Sequence, residues 1–171
     1  MTASRHNHKT KPVIGLTLGD VAGIGPEVVQ KALRSGKLDG RFHYEVILAG
    51  EAPAVPAGRV NLRAARFAIR ALETGVQMAL DGRLAGLVTG PVNKTGLKKA
   101  GFPFPGQTEF LAKLTGTRQF AMMLASDRLR VTLVTTHVPI RDVPRLLTPH
   151  KIFTCIELTA AFLRRLGLNR P

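Results

Sequence analysis

From residue 12 onward, short apolar runs alternate with stretches in which apolar residues recur every three or four positions. The run Val13–Thr17 predicts a buried strand, followed by a glycine-rich turn and a helix over residues 26–34. A second strand is expected at residues 44–49 (YEVILA), and residues 50–58, with Pro53 and Pro56, read as a connection. Across Leu62–Leu80 the side chains of Ala65, Ala68, Leu72, Val76 and Ala79 share one helical face, which Asp81-Gly82 closes. Residues 84–89 form the next apolar run, and residues 108–114 a short helix. Runs at 120–125 and 129–135 flank Ser126-Asp127-Arg128 and suggest a hairpin. Thr148 and Pro149 suit the cap and first position of a last helix. Its face would carry Ile152, Ile156, Leu163 and Leu166, and Gly167 fits its end.

Strands that alternate with helices give an α/β fold with a largely parallel sheet. Ligands of such sheets sit outside the carboxyl ends of the strands, so the loops after the strands are the places to look. The sequence stops just after a helix, where the pattern ordinarily supplies another strand, and so reads as unfinished.

The 171 residues include 25 Lys or Arg against 11 Asp or Glu, a formal net charge of +14. A hydrophobic share of 44% supplies a core and excludes a disordered chain. The length fits one domain or slightly more. Cys155 is the one cysteine, which excludes a disulfide framework; inside an amphipathic helix it reads as a small core residue. No apolar run approaches the roughly 20 residues of a membrane span. Residues 1–11 are polar and basic, lack the apolar centre of a secretory signal and read as a disordered tail. A soluble, cytoplasmic protein with no membrane partner is expected. The charge would suit nucleic acid, yet there is one Tyr, no Trp, and no helix-turn-helix, RNA-recognition or zinc motif. Lys and Arg are scattered, so no nucleic-acid partner is expected.

Four segments could carry chemistry. LGDVAGIGPE (residues 18–27) turns sharply at Gly19, Gly23 and Gly25 into a helix whose free N–H groups could hold an anion. It matches neither a Walker loop nor the dinucleotide G-x-G-x-x-G, and a tight turn alone would explain it. VTGPVNK (residues 88–94) sets Lys94, Lys98 and Lys99 near a strand end, which a solvated basic helix start would also do. FPFPGQTEF (residues 102–110) presents Gln107 and Thr108 at a helix start, where both could bond a phosphate or carboxylate. The plainer reading makes Thr108 the helix cap and leaves Gln107 exposed. TTHVPIRD (residues 135–142) places His137 near a strand end, but His6, His8, His43 and His150 offer it no metal-ligand spacing.

In this order and wording the segments carry more. GLTLGDVAGIGPE, GLVTGPVNKTGLKKAGFPFPGQTEF and MMLASDRLRVTLVTTHVPIRDVPRLLTP resemble the 4-hydroxythreonine-4-phosphate dehydrogenase family of pyridoxine (vitamin B6) biosynthesis. The resemblance covers most of residues 12–168 and is poorest over residues 51–60. It implies the fold of the isocitrate and isopropylmalate dehydrogenases, with residues 12–171 as the N-terminal part of an incomplete two-domain architecture. It also implies a cytoplasmic homodimer that oxidises the C3 hydroxyl of 4-phosphooxy-L-threonine with NAD or NADP. The product then decarboxylates to 3-amino-2-oxopropyl phosphate. A divalent metal (zinc, magnesium or cobalt) shared across the dimer would acidify the hydroxyl.

By position, the resemblance makes His137 the first metal histidine, and Gln107 and Thr108 the pair that contacts substrate. It assigns no catalytic or cofactor-binding residue. Gln107 stands where the family usually has His, and can donate a hydrogen bond but neither carry charge nor shuttle a proton. Residues 51–58 are short where the family has extra elements, and the family's other two metal histidines lie beyond the sequence. The isolated chain is therefore expected to be inactive. The alternative is a non-catalytic remnant that acts as a binding or dimerisation module.

Overall fold

A computed structural model describes residues 11–168. The chain divides into two compact units, with the boundary between Pro103 and Phe104. The expected basic tail lies, apart from Lys11, outside the described residues.

The first unit is built on a three-stranded parallel sheet ordered β2-β1-β3, from β1 (Val13–Thr17), β2 (His43–Ile47) and β3 (Gly86–Val88). Val13 pairs with His43 and Thr17 with Ile47 on one side of β1, and Ile14 with Gly86 and Leu16 with Val88 on the other. Helix α1 (Gly25–Arg34) joins β1 to β2, and α2 (Leu62–Leu80) joins β2 to β3. Because β1 and β3 are adjacent parallel strands, the loops that follow them are neighbours.

Helix α2 carries the core. Asn61 caps it, its Oδ1 accepting from the N–H of Arg63 at 2.8 Å and of Ala64 at 3.3 Å. Ala64, Phe67, Ala68, Ala71, Leu72 and Val76 are buried as the helix packs on all three strands. The 3.6-residue spacing of these positions gives the buried face, and Asp81-Gly82 ends it as expected, Gly82 at φ 73°. Ile47, Met78 and Leu84 close the sheet end of this core. Short helix α3 (Lys94–Lys99), capped by Asn93, packs against α2. Strand β3 is shorter than the apolar run that predicted it. Leu84 is buried in the core just before the strand begins, and Ala85 enters by one hydrogen bond to Val13.

The second unit holds α4 (Gln107–Leu114), an antiparallel hairpin of β4 (Met122–Ala125) and β5 (Arg130–Leu133), a single 3-10 turn at Ile140–Asp142, α5 (Val143–Leu146) and α6 (Pro149–Arg165). Met122 pairs with Leu133 and Ala125 with Arg130, so the expected hairpin is present. Thr148 caps α6, its Oγ1 accepting from the N–H of Lys151 at 3.3 Å, and Gly167 follows the helix at φ 86°. Helix α6 packs on β5 through a Thr132–Thr159 hydroxyl pair at 2.7 Å and the Cys155 thiol near the Leu133 carbonyl at 3.6 Å.

The apolar face expected of α6 does exist, but it is not buried. Ile152 and Ile156 are 41% and 59% exposed, and no residue of α6 is buried. A two-stranded hairpin is too narrow to cover a helix of this length. Cys155 is accordingly half-buried rather than a core residue. Among the described residues no single helix is long and apolar enough to cross a membrane.

Candidate functional site

The two groups of sequence motifs fall in different units. In the first unit, LGDVAGIGPE and VTGPVNK are the loops after β1 and β3, and they meet. The N–H of Asp20 donates to the Pro91 carbonyl at 2.8 Å, and the N–H of Gly90 donates to Thr17, to its carbonyl at 3.0 Å and its hydroxyl at 3.1 Å. Gly19 sits at φ 69°, where a Cβ would collide with the Pro91 carbonyl. A Cβ on Gly25 would likewise run into the carbonyl of Leu18. Glycine is required at both positions by close backbone approach. The carboxyl ends of neighbouring parallel strands are where open α/β sheets take ligands. Here, however, the N–H groups of Asp20 and Gly90 are already spent on protein oxygens. The loop is thus a tight turn locked to its neighbour.

The second unit brings the other candidates together. Helix α4 begins at Gln107, with Gly106 as its cap residue in extended conformation and no side chain capping it. This corrects the expectation that Thr108 caps the helix: Thr108 is its second residue. Gln107 is also half-buried rather than exposed. No side chain caps the first N–H groups of α4, the turn that carries Gln107 and Thr108. His137 reaches that helix start from 30 residues along the chain; its Nε2 lies 3.5 Å from where a Cβ on Gly106 would stand.

His137 is the one residue other than glycine with positive φ among the described residues, at 57°. The left-handed region costs an L-residue roughly 1 kcal/mol or more, and such strain concentrates at functional sites. The Thr135-Thr136 step beyond β5 delivers the chain to this turn, and Pro139 then starts the 3-10 turn. Glu109, in the first turn of α4, has one carboxylate oxygen buried without a hydrogen-bond partner. The positive end of the helix favours its charge there.

A cavity of about 320 Å³ adjoins Thr108 and Glu109 and is walled by Arg118, His150, Lys151 and Cys155. The sequence motifs did not point to its cationic wall. His150 and Lys151 follow the Thr148-Pro149 helix start, where they read only as the first turn of an amphipathic helix. Neither Gln107 nor His137 lines this cavity.

The donor set does not make a metal site. No group of three or more His, Cys, Asp or Glu side chains among the described residues is placed to hold an ion. His137 is a single imidazole, whereas a catalytic zinc commonly needs three protein ligands.

Comparison with known proteins agrees with the sequence motifs. The family model described as pyridoxal phosphate biosynthetic protein PdxA matches residues 17–171. A Bradyrhizobium diazoefficiens protein, provisionally named a D-threonate 4-phosphate dehydrogenase, is 38% identical over 92% of the chain and 57% of its own length. The 4-hydroxythreonine-4-phosphate dehydrogenase of Aquifex aeolicus is 35% identical over 85% of the chain and 56% of its length. The crystal structure of the Klebsiella pneumoniae 4-hydroxythreonine-4-phosphate dehydrogenase superposes with a TM-score of 0.77 at 30% identity, covering 95% of this chain and 61% of that one. The chain thus spans less than two thirds of the length of these relatives. The first alignment runs to 197 positions, more than the 171 residues of the whole chain, so that relative carries residues this chain lacks within the matched stretch.

Proposed function

Since the chain belongs to the family of the pyridoxal phosphate biosynthetic protein PdxA, we propose that its reaction is the oxidation of a phosphorylated hydroxy acid at C3. The substrate favoured by the motifs is 4-phosphooxy-L-threonine. Its C3 hydroxyl loses a proton and C3 loses a hydride, which leaves a ketone. The 2-amino-3-oxo acid then loses its carboxylate as carbon dioxide, a proton replaces it, and 3-amino-2-oxopropyl phosphate results. Nicotinamide, as NAD or NADP, accepts the hydride when bound.

The observation that carries this reading is the convergence of His137 on the start of α4, where Gln107 and Thr108 stand. In this reading the Thr108 hydroxyl and the Gln107 amide donate to phosphate oxygens at the first turn of α4, which no side chain caps. Gln107 binds without charge, so it contributes less to phosphate affinity than an imidazolium would. In this reading His137 would be the metal donor that the second unit supplies beside the α4 start.

Binding and turnover test the proposal separately. Calorimetry should show 4-phosphooxy-L-threonine binding that weakens about tenfold in Thr108→Val, on the loss of one charge-assisted hydrogen bond. Unchanged binding in that variant would remove Thr108 and the α4 start from the site. Mixed with NAD or NADP and a divalent metal, the chain alone should give no reduced nicotinamide. D-threonate 4-phosphate, run in parallel, tests the other substrate named among the relatives. Tighter binding of that acid would replace the 2-amino substrate with a 2-hydroxy one.

A second reading, a non-catalytic binding or dimerisation module, draws on the exposed apolar surface of the second unit, including Leu124, Phe153 and Ile156. Mass photometry showing only monomer across the micromolar range would count against it.

A further inference from the structure

In the first unit, a cavity of about 480 Å³ lies between helix α2 and the connection that follows β2. Arg63, Arg66 and Arg70 form one wall, and Glu51 and Pro53 contribute to the other. The three arginines are spaced three and four residues apart, which puts them on one face of α2. The salt bridges among the described residues are Glu27–Lys31, Asp39–Arg41 and Asp142–Arg145, so no carboxylate pairs with any of the three. The first turn of α2 carries no acidic residue either. Like charges at this spacing repel, and the one carboxylate on α2, Glu73, forms no salt bridge with them.

We propose that this cavity binds a chain of two or three linked phosphates, free or carried on a nucleotide. With a rise of 1.5 Å per residue, the row from Arg63 to Arg70 extends roughly 10 Å. One orthophosphate meets one or two guanidinium groups of such a row, whereas linked phosphates can follow all three. Arginine forks pair phosphate oxygens two at a time and keep their charge at every relevant pH. Binding would also relieve the repulsion along the helix. Glu51 opposes an anion from the other wall and sets a limit on affinity. None of the cavity's residues belongs to the α4 start or to the His137 turn.

Isothermal titration of the whole chain at low ionic strength provides the test, with inorganic tripolyphosphate, ADP and orthophosphate as probes. Tripolyphosphate is expected to bind at one site, about tenfold more tightly than orthophosphate. Arg66→Gln should weaken it about tenfold, and Arg63→Gln/Arg66→Gln/Arg70→Gln should abolish it. Glu51→Gln should tighten it. All these side chains are exposed, so the variants should keep the wild-type circular dichroism and melting profile. The control pair Arg164→Gln/Arg165→Gln, on exposed positions of α6, should bind as wild type does. ADP binding lost in the same variants would identify a nucleotide source, and tripolyphosphate binding without ADP a free one. Equal losses in the control pair, wild-type affinity in the triple variant, or equal affinity for orthophosphate would overturn the proposal.

Discussion

The two units differ in how far they complete themselves. In the first, a parallel sheet and one long helix share an interface in which Phe67 and Leu72 are 0% and 1% exposed. In the second, Phe110 and Ala112 are the buried apolar residues, while Phe153 and Ile156 on α6 are 58% and 59% exposed. Both units have amphipathic helices of similar length: α2 has 19 residues and α6 has 17. What separates them is the partner surface: α2 lies on three strands, and α6 on the edge of a two-stranded hairpin. A hydrophobic stripe makes a core only where something wide enough covers it.

The contrast can be broken most severely by truncating one phenylalanine in each unit. Phe67→Ala should cost about 3–5 kcal/mol through lost burial and a residual cavity. Phe153→Ala should change stability by about 0.5 kcal/mol or less. Urea denaturation of both variants measures the difference. Similar losses would mean that α6 is covered in solution by something beyond the described residues.

Next in size come the glycines of the locked turn. Gly25→Ala or Gly19→Ala should each destabilise the first unit by more than about 1 kcal/mol, because the new Cβ meets a carbonyl that cannot move without breaking the turn. Amide exchange should report faster opening at residues 18–27 and 88–94, with the second unit unchanged. The helix caps allow a direct comparison of the units. Asn61→Ala and Thr148→Ala each remove a side-chain acceptor from a helix start, at about 1 kcal/mol apiece. If the units unfold separately, each substitution should shift only its own transition in a thermal scan.

The smallest effect lies at low pH in the first unit. Hydrogen bonds from the Arg41 side chain and backbone hold the Asp39 carboxyl down to about 2. The folded value lies below the unfolded one, so this contribution is complete above the ordinary carboxylate range. It is lost as pH falls through about 4 toward 2. Asp39→Asn should slightly flatten the acid limb of the stability profile over that window and leave the neutral region unchanged. The pair is exposed, so the change should be small.

Much of the fold was legible in the sequence because it is governed by local chemistry. The period of Ala65, Ala68, Leu72 and Val76 located α2, Asp81-Gly82 ended it, and Thr148-Pro149 opened α6. The site was legible only as separate words. Gln107, Thr108 and His137 could be picked out, yet nothing in their spacing says that His137 turns back onto the start of α4. That closure depends on the hairpin and on a left-handed turn at a residue that is not glycine. The arginine row of α2 read as an ordinary solvated face until the connection after β2 was seen to form an opposing wall. The cap of α4 was misplaced by two residues, because Gly106 can occupy that position without contributing a side chain.

The sequence by itself determined most of the helices and strands, though not the short helices α3 and α5, and, through three ordered motif blocks, the family. Those properties rest on interactions within a few residues or on residue identity alone. The tertiary structure decided what each apolar stripe faces. It buried α2 and left α6 largely in water, because burial depends on the width of the surface that folding brings opposite, and no local pattern encodes that. The +14 charge is likewise a sum that sequence supplies, but only the fold gathers Arg63, Arg66 and Arg70 around one cavity.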